Sequence, residues 1–290
     1  PPVTNADGST TLPGGGTVTM ENGAKITAPE GTVIDKDGTV MMNSGMANID
    51  LPGGTAISLP AGSTVSAAGS VHVGAGGASL GTNLRIAADT VILLDADVPL
   101  GYVVTSGHPF IDVKKSDWFD GNVTFVYVHG LFAGTGAITF SPDASMTRGM
   151  LVTVLGRLYG VDAGAYSANS FSDVQASWYY APYVEWAKQA GIVSGVGDNK
   201  FAPDAEITRQ DLAAILLRYA NFSQKHFPAT RQFVTFADDA QIADYAKISV
   251  QSLYNGGIIS GKPNNIFDPR GNATRAEVTA MMHRFIEAAK

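Results

Sequence analysis

The chain has 290 residues, 45% of them hydrophobic, and carries a formal net charge of −7 without any cysteine. This length and apolar content are typical of a globular protein with two domains, and every apolar run is shorter than the roughly 20 residues that a membrane-spanning helix needs. The missing cysteines exclude disulfides and thiolate metal sites, and the negative charge argues against a nucleic-acid partner, which needs a basic face.

Charge is unevenly distributed along the chain. Residues 1–107 contain three Lys/Arg against nine Asp/Glu, whereas residues 108–290 contain sixteen against seventeen. An anionic ligand is therefore expected to bind the second part. The chain opens on Pro1-Pro2-Val3 without a basic, apolar leader, so we expect a fragment or a processed form.

A region of short β-strands is predicted for residues 17–107, after a linker over residues 1–16. Brief Thr/Val/Ile runs favour strands, and glycine-containing turns such as Pro29-Glu30-Gly31 and Pro52-Gly53-Gly54 separate them. Central apolar residues recur every seven to nine residues, at Val18, Ile26, Val33, Val40, Ile49, Ile57 and Val65. This regularity favours a small β-solenoid over a meander that closes into a sandwich. A stalk or spacer is the expected role, with glycan binding or lattice contacts as the alternatives.

Beyond Gly107 the chain repeats itself three times, in segments 108–160, 161–220 and 221–290. Each copy has a Gly-x-x-x-Gly unit, a Phe-x-Pro motif ten residues after its first glycine, a Thr-Arg pair whose arginine lies eight residues after the Phe, and another arginine nine residues after that one. In order, the members are Gly130, Gly191 and Gly257; Phe140, Phe201 and Phe267; Thr147-Arg148, Thr208-Arg209 and Thr274-Arg275; and Arg157, Arg218 and Arg284. A register held without insertion over three copies indicates an internal repeat.

Each copy is predicted to fold as helix, loop and helix. Apolar residues at i, i+4 and i+7 positions predict a first helix that ends at the first glycine, and the apolar stripe after the Thr-Arg pair predicts a second. The predicted caps of the second helices are Thr147, Thr208 and Thr274. Thr274 and Glu277 match a capping box, Thr208 and Asp211 match a weaker version, and the first copy lacks the acid.

These motifs together resemble the S-layer homology family. The resemblance includes aromatic-x-Asp openings at Phe110, Phe171 and Phe236, covers residues 108–290 and does not extend to residues 1–107. It implies a mainly α module in which three repeats wrap around a pseudo-threefold axis with grooves between neighbours, so the whole chain is a multi-domain α+β protein. It also implies a secreted bacterial surface protein, held noncovalently on the cell wall by an anionic secondary polysaccharide that often carries pyruvate ketals on N-acetylmannosamine.

Candidate ligand-binding arginines follow the same threefold pattern. An arginine in the first turn of a helix places a cation beside unpaired N–H groups and the positive end of the helix dipole, which suits a carboxylate or phosphate. Arg148, Arg209 and Arg275 are therefore the first candidates to bind the polymer's acid. The alternative is that each of them pairs with a carboxylate across a repeat interface.

Aromatic, glycine and acidic residues complete the candidate site. Trp118, Tyr179 and Tyr245, with Trp178 beside Tyr179, can stack on a sugar or pack in a core. Gly134, Gly195 and Gly261 are expected either to let the backbone approach the sugar or to supply a positive φ. Asp112, Asp173 and Asp238 are expected to cap the first helices. Because Gly149-Met150 replaces Ala-Glu in the first copy, the grooves should differ in affinity, and weak grooves would add through effective concentration.

Two rival interpretations remain open at the level of sequence. The five histidines lack zinc-ligand spacing, and the chain has no Gly-x-Ser-x-Gly elbow, phosphate loop or dinucleotide fingerprint. We therefore expect no enzyme, metal or cofactor, although the chain could be the non-catalytic part of a glycan-active enzyme. The second rival is a purely structural protein whose β region self-associates in a lattice or filament while the helical repeats act as a spacer.

Overall fold

The computed structural model describes residues 1–51, 56–81, 84–105 and 107–289, and the chain forms two compact units. The first comprises Pro1–His108 and Tyr127–Gly130, and the second comprises Pro109–Val126 and Leu131–Lys290. The first unit is rich in β-sheet, and the second is largely helical and contains the repeats. The predicted order of a β-rich region followed by a helical region is confirmed.

The first unit consists of short antiparallel strands in two sheets. The strands are β1 (Val3–Thr4), β2 (Thr10–Leu12), β3 (Gly16–Thr19), β4 (Lys25–Ala28), β5 (Thr32–Ile34), β6 (Val40–Met41), β7 (Ala47–Asp50), β8 (Ala56–Leu59), β9 (Thr64–Val65), β10 (Ser70–His72), β11 (Ala78–Leu80), β12 (Leu84–Ile86), β13 (Val91–Leu94) and β14 (Tyr102–Val104). One sheet has the order β1-β2-β5-β6-β9-β10-β13-β14, and the other has the order β12-β11-β8-β7-β4-β3. The chain thus adds two strands to one sheet, then two to the other, throughout this unit.

Neighbouring strands align their buried side chains in columns. In the six-stranded sheet Ile26 pairs with Ile49, and Ile49 pairs with Ile57, all fully buried. The equivalent column of the eight-stranded sheet contains Val40, Val65, Val71 and Ile92. Since burying such a side chain stabilises a fold by about 1.5–3 kcal/mol, one apolar face accounts for much of the stability of each sheet.

Residues 1–16 do not form the expected linker. They contain β1 and β2, and β2 pairs with β5 through Thr10–Ile34 and Leu12–Thr32. The run Thr10-Thr11-Leu12 favours a strand, but the glycines and proline around it suggested a linker. The turn prediction at Pro52-Gly53-Gly54 lies outside the described residues, and the choice between solenoid and sandwich stays a prediction. The glycines of five other predicted turns have positive φ: Gly15, Gly23, Gly31, Gly38 and Gly62.

Three pairs of helices make up the repeats. The first helices are α1 (Asp120–Val128), α3 (Ala181–Gln189) and α5 (Asp244–Asn255), and the second helices are α2 (Arg148–Tyr159), α4 (Arg209–Phe222) and α6 (Arg275–Ala288). Each first helix ends just before the first glycine of its repeat, and Gly130, Gly191 and Gly257 have φ of 67°, 69° and 78°. Glycine adopts this left-handed conformation without strain, which ends the helix. The helix–loop–helix prediction is confirmed in all three repeats.

Backbone hydrogen bonds join the three repeats in a closed cycle. The Met146 N–H donates to the Ala273 carbonyl (2.9 Å), the Ala273 N–H donates to the Ile207 carbonyl (3.0 Å), and the Ile207 N–H donates to the Met146 carbonyl (2.8 Å). All three residues are buried. Each lies just before the second helix of its repeat, so the repeats meet at one centre, as expected of pseudo-threefold packing.

His283 of α6 connects the third repeat to the first. Its ring stacks on Phe125 of α1 at 3.9 Å between centroids, and its Nδ1 lies 3.0 Å from Asn122 Oδ1. Burial, with a smaller contribution from the charge of Arg284, lowers the pKa of His283 to about 4. Glu287 Oε1 lies 3.5 Å from Nε2, but burial raises the pKa of the Glu287 carboxyl, which weakens it as a partner for a protonated ring in acid.

We expect the helical unit to lose about 2–3 kcal/mol of stability as the pH falls from about 6.5 to about 4. In this window the unfolded histidine binds a proton and the folded one does not, so acid favours the unfolded state. Urea unfolding followed by tryptophan fluorescence measures the loss, because Trp118, Trp178 and Trp186 all lie in this unit. His283→Phe keeps the stacked ring and should flatten this part of the pH profile; an unchanged slope would contradict the assignment.

Candidate functional site

The Thr-Arg arginine of each repeat binds the Gly-x-x-x-Gly turn and Phe-x-Pro motif of another repeat. Arg148 of the first repeat donates from Nε to the Phe201 carbonyl (2.9 Å) and from Nη2 to the Ser194 carbonyl (3.2 Å), both in the second repeat. Arg209 of the second repeat makes the same two bonds to Phe267 (2.7 Å) and Ser260 (3.1 Å) of the third.

Arg275 closes the cycle from the third repeat to the first. Its Nε donates to the Phe140 carbonyl and its Nη2 to the Ala133 carbonyl, both at 2.8 Å. The guanidinium lies 4.4 Å from the centroid of the Phe140 ring, and the side chain is only 5% exposed. These arginines are therefore structural clamps between repeats, whatever else they bind.

The expectation of unpaired N–H groups beside the arginines is wrong. The Arg148 and Gly149 N–H groups donate to the carbonyls of Ala205 (2.9 Å) and Pro203 (2.8 Å) in the next repeat. The next N–H, of Met150, donates to Thr147 Oγ1 at 3.2 Å. The second and third repeats show the same arrangement. The carbonyl of the proline in each Phe-x-Pro motif and a second carbonyl two residues later thus occupy the position proposed for an anion at the helix start.

The early aspartates do not cap the first helices as expected. Asp173 accepts the N–H groups of Phe201 and Ala202, both at 2.8 Å, and Asp238 accepts those of Phe267 and Asp268. Asp112 binds the equivalent N–H groups of the first repeat. The middle residue of each Phe-x-Pro motif has positive φ, which turns two consecutive N–H groups toward one carboxylate. Each aspartate therefore fixes the carbonyl that the clamp arginine binds.

Two grooves of equivalent composition lie beside the clamps. The first groove has a volume of about 280 Å³ and is formed by residues 131–135, the exposed side of α2, Arg275 and Tyr179. The second groove has a volume of about 300 Å³ and is formed by residues 193–196, the exposed side of α4, Arg148 and Tyr245. All three repeats contribute to each groove, because the turn and helix, the arginine, and the tyrosine come from different repeats.

The predicted aromatic residues are on the surface rather than in a core. Trp118, Tyr179 and Tyr245 are 63%, 57% and 54% exposed. Tyr179 lines the first groove and Tyr245 the second, and Trp118 is their equivalent by position in the repeat. Trp178 lines neither groove and packs edge-on against Tyr180 at 5.5 Å.

A second arginine lines each groove, and the sequence did not place it among the candidate ligand-binding residues. Arg157 belongs to the first groove and donates to the Leu131 carbonyl at 3.1 Å, and the exposed Arg218 belongs to the second. Arg284 is the third member of the set. The signal was present, since these arginines recur nine residues after each clamp arginine, but it was used only to establish the repeat.

The two positions of each Gly-x-x-x-Gly unit require glycine for different physical reasons. The first has a positive φ, as described above. At the second, an added Cβ would lie 2.6–2.9 Å from the opening phenylalanine of the repeat: from Phe110 for Gly134, Phe171 for Gly195 and Phe236 for Gly261. Packing against the ring therefore suffices to explain this glycine. Gly134 and Gly195 also line the two grooves, which leaves their predicted contact with a sugar as a proposal.

The third residue of each second helix differs between repeats. It is Met150 in the first groove and Asp211 in the second, and Glu277 stands at the equivalent position of the third repeat. Thr274 and Glu277 form a reciprocal capping box, and Thr147 and Thr208 each accept the corresponding N–H. Glu277 also forms an ion pair with Arg209, Nη1 to Oε1 at 3.1 Å, and Arg209 is only 3% exposed.

Burial sets the protonation of the groove side chains. It lowers the pKa of Arg148, Arg209 and Arg275, but a guanidinium still remains charged at neutral pH. Burial and a hydrogen bond to Asp211 raise the pKa of Tyr245 to about 12, and burial raises the pKa of Tyr179. The grooves therefore present fixed cations beside neutral phenols, a combination suited to an acidic sugar.

Neither a metal site nor a membrane helix is found in the described ranges. No three His, Cys, Asp or Glu side chains come together there as metal ligands. Likewise, none of the helices described is long and apolar enough to cross a bilayer.

Residues 109–149, 170–213 and 235–279 match the S-layer homology domain. The amylopullulanase of Thermoanaerobacterium thermosulfurigenes is 33% identical over 178 residues, which are 61% of this chain and 9% of that protein. The cellulosome-anchoring protein of Acetivibrio thermocellus is 26% identical over 188 residues, or 63% and 40% of the two chains. The S-layer protein of Bacillus thuringiensis subsp. finitimus is 25% identical over 177 residues, or 60% and 21%. The chain thus matches less than half of the length of each relative, and the similarity supports cell-wall anchoring of a surface protein.

Proposed function

Because residues 109–149, 170–213 and 235–279 are three tandem S-layer homology domains, we propose that this chain attaches a bacterial surface protein to the cell wall by binding an anionic secondary polysaccharide in its grooves. The ligand would be an acidic sugar, such as N-acetylmannosamine with a pyruvate ketal. The S-layer homology domain is a non-catalytic anchoring module, and the enzymes among the relatives have their activity in other domains.

The single observation that supports the polysaccharide most directly is the composition of the two grooves. Each contains two arginines and an exposed tyrosine: Arg275, Arg157 and Tyr179 in the first, and Arg148, Arg218 and Tyr245 in the second. A guanidinium binds a carboxylate with charge-assisted hydrogen bonds, and an aromatic face packs on the C–H face of a sugar ring. A volume near 300 Å³ is at the lower end of the range for small-ligand pockets and suits one or two sugar units.

Two grooves on one rigid module would strengthen attachment to a repeating polymer. Once one groove is occupied, a neighbouring sugar unit is held at high local concentration near the other. Two weak sites therefore give retention on the wall without a covalent bond. The β-rich unit would then act as a stalk or make contacts between neighbouring copies, and lattice assembly by that unit is compatible with anchoring by the helical unit.

Cosedimentation with purified cell wall tests the proposal. Walls from a bacterium with a pyruvylated secondary polymer should retain the chain at least tenfold better than the same walls after chemical removal of the polymer. Soluble pyruvylated N-acetylmannosamine should release the chain, and unsubstituted N-acetylmannosamine is the matched control. Equal retention on both walls would contradict polymer binding and favour the purely structural interpretation.

A further inference from the structure

The three repeats differ in charge at the third residue of their second helices. The third residue of the second helix is uncharged in the first repeat (Met150) and carboxylic in the other two (Asp211 and Glu277). In the first and second grooves this residue belongs to the lining. Met150 and Asp211 line the same groove as the clamp arginine of the preceding repeat in the cycle, and Glu277 contacts that arginine directly.

The Glu277 carboxylate of the third repeat neutralises Arg209, the clamp arginine that the second repeat contributes. Glu277 Oε1 lies 3.1 Å from Arg209 Nη1. Its other oxygen accepts the Thr274 N–H at 3.0 Å, so the carboxylate is held in place by the capping box. Arg209 thereby has a partner on each of its three nitrogens: Phe267, Ser260 and Glu277. A ligand acid would have to displace a fixed, buried ion pair.

In the first groove the clamp arginine, Arg275 of the third repeat, keeps one side of its guanidinium for a ligand. Arg275 is 5% exposed and lines the first groove, and its hydrogen bonds within the described ranges use Nε and Nη2 and leave Nη1 without a partner. Met150 offers no charge, and Arg157 adds a second cation to the lining. A buried cation with an open donor facing a cavity is the arrangement that an anion recognises best.

The second groove is intermediate. Arg148 has no hydrogen-bond partner on Nη1 among the described residues, as in the first groove. However, Asp211 shares the groove, where its carboxylate accepts the hydroxyl groups of Thr208 and Tyr245. The negative charge of Asp211 thus lies in the same groove as Arg148, but its carboxylate is hydrogen-bonded to two neutral hydroxyl groups.

We propose that the residue at this position, Met150, Asp211 or Glu277, ranks the three repeats for an acidic sugar: the first groove binds most strongly, the second binds more weakly, and Glu277 closes the equivalent position of the third repeat, beside Arg209, to the ligand. The ranking rests on the proposed function, since it concerns the same grooves and the same acidic ligand. The ranking adds one point to the proposed function. In the third repeat the Glu277 carboxylate competes with the acid of the ligand for the arginine, and in the first repeat Met150 leaves this competitor out.

Met150→Glu places in the first groove the carboxylate that Glu277 provides in the third repeat, and Met150→Gln is its uncharged control. Either side chain can complete a capping box with Thr147, so both variants should unfold at the same or a higher urea concentration than the wild type. Calorimetric titration with pyruvylated N-acetylmannosamine should show about tenfold or greater loss of first-groove affinity in Met150→Glu and little loss in Met150→Gln. Equal affinities in the two variants would overturn the ranking.

Glu277→Gln is the converse change. Glutamine retains the capping hydrogen bond but removes the charge that pairs with Arg209. The variant should bind one more molecule of the probe than the wild type, and the indole NMR signal of Trp118, the aromatic residue equivalent to Tyr179 and Tyr245, should shift on titration. An unchanged stoichiometry would refute the closure of this position of the third repeat by Glu277. Absence of probe binding in the wild type would instead refute the proposed function, and the ranking with it.

Discussion

Replacing Arg275 with alanine should lower the free energy of unfolding of the helical unit by about 3–5 kcal/mol. The change removes two hydrogen bonds from the third repeat to the carbonyls of Phe140 and Ala133 in the first, and leaves both acceptors without these donors. It also removes a guanidinium packed 4.4 Å from the Phe140 ring. Because Arg275 is only 5% exposed, its removal leaves a cavity, and solvent does not take over its contacts.

Arg275→Lys should recover little of this stability. A lysine ammonium keeps the charge but cannot present two N–H groups in the plane that both carbonyls require. Urea unfolding followed by tryptophan fluorescence measures the loss in the helical unit alone, since all tryptophans lie there. Arg218→Ala is the matched control, because Arg218 is exposed and its removal should change stability by less than about 0.5 kcal/mol. The clamp role is excluded if Arg275→Ala is as stable as Arg218→Ala.

Changing Arg157 and Arg218 together to glutamine should reduce retention on polymer-bearing wall by about 100-fold or more, and each single change by about tenfold. These arginines line the two grooves without clamping the repeats, so they test binding where Arg148 and Arg275 would report mainly on folding. The double variant loses a cation from both grooves and therefore also loses the advantage of simultaneous binding.

Arg284→Gln provides the matched control for these variants. Arg284 stands at the same helical position in the third repeat, where the clamp arginine contributed by the second repeat, Arg209, is already paired with Glu277. Its loss should leave retention within about twofold of the wild type. Retention should also fall as salt is raised, because part of the attraction comes from exposed charges. If Arg157→Gln and Arg218→Gln are retained as well as Arg284→Gln and the wild type, the second arginine is not a ligand-binding residue.

The helices of the repeats were predictable because their signals are local. A threonine cap, an apolar stripe and a terminal glycine act within one turn of helix, so α2, α4 and α6 begin at the residues that follow Thr147, Thr208 and Thr274. The repeat that each clamp arginine binds could not be predicted from such local signals. Spacing within a repeat is the same whichever neighbour receives the guanidinium, and only the packed structure shows that Arg275 binds the first repeat.

Two misassignments at the site have the same physical origin. An aspartate before a helix has a local partner in the helix start, and an N–H group at a helix start has none within its own helix, so the sequence suggests a cap for the first and a free donor for the second. In the fold, Asp173 binds a loop 28 residues later, and the Arg148 N–H binds Ala205 of the next repeat. In the β unit, residues 1–16 were predicted as a linker because of their glycines and prolines. Their strands, of two and three residues, are too short to show a recognisable periodicity.

The closed cycle of repeats has a mechanical consequence. In a linear stack, force applied to one end peels the units apart one contact at a time, and a proteolytic nick in a connecting segment releases a fragment. Here each repeat is gripped by one neighbour and grips the other, as at Met146, Ile207 and Ala273, so a cut connector still leaves its repeat fastened on two sides. A force applied to one end of the helical unit must therefore load several buried contacts at once, which would suit the proposed attachment to the cell wall.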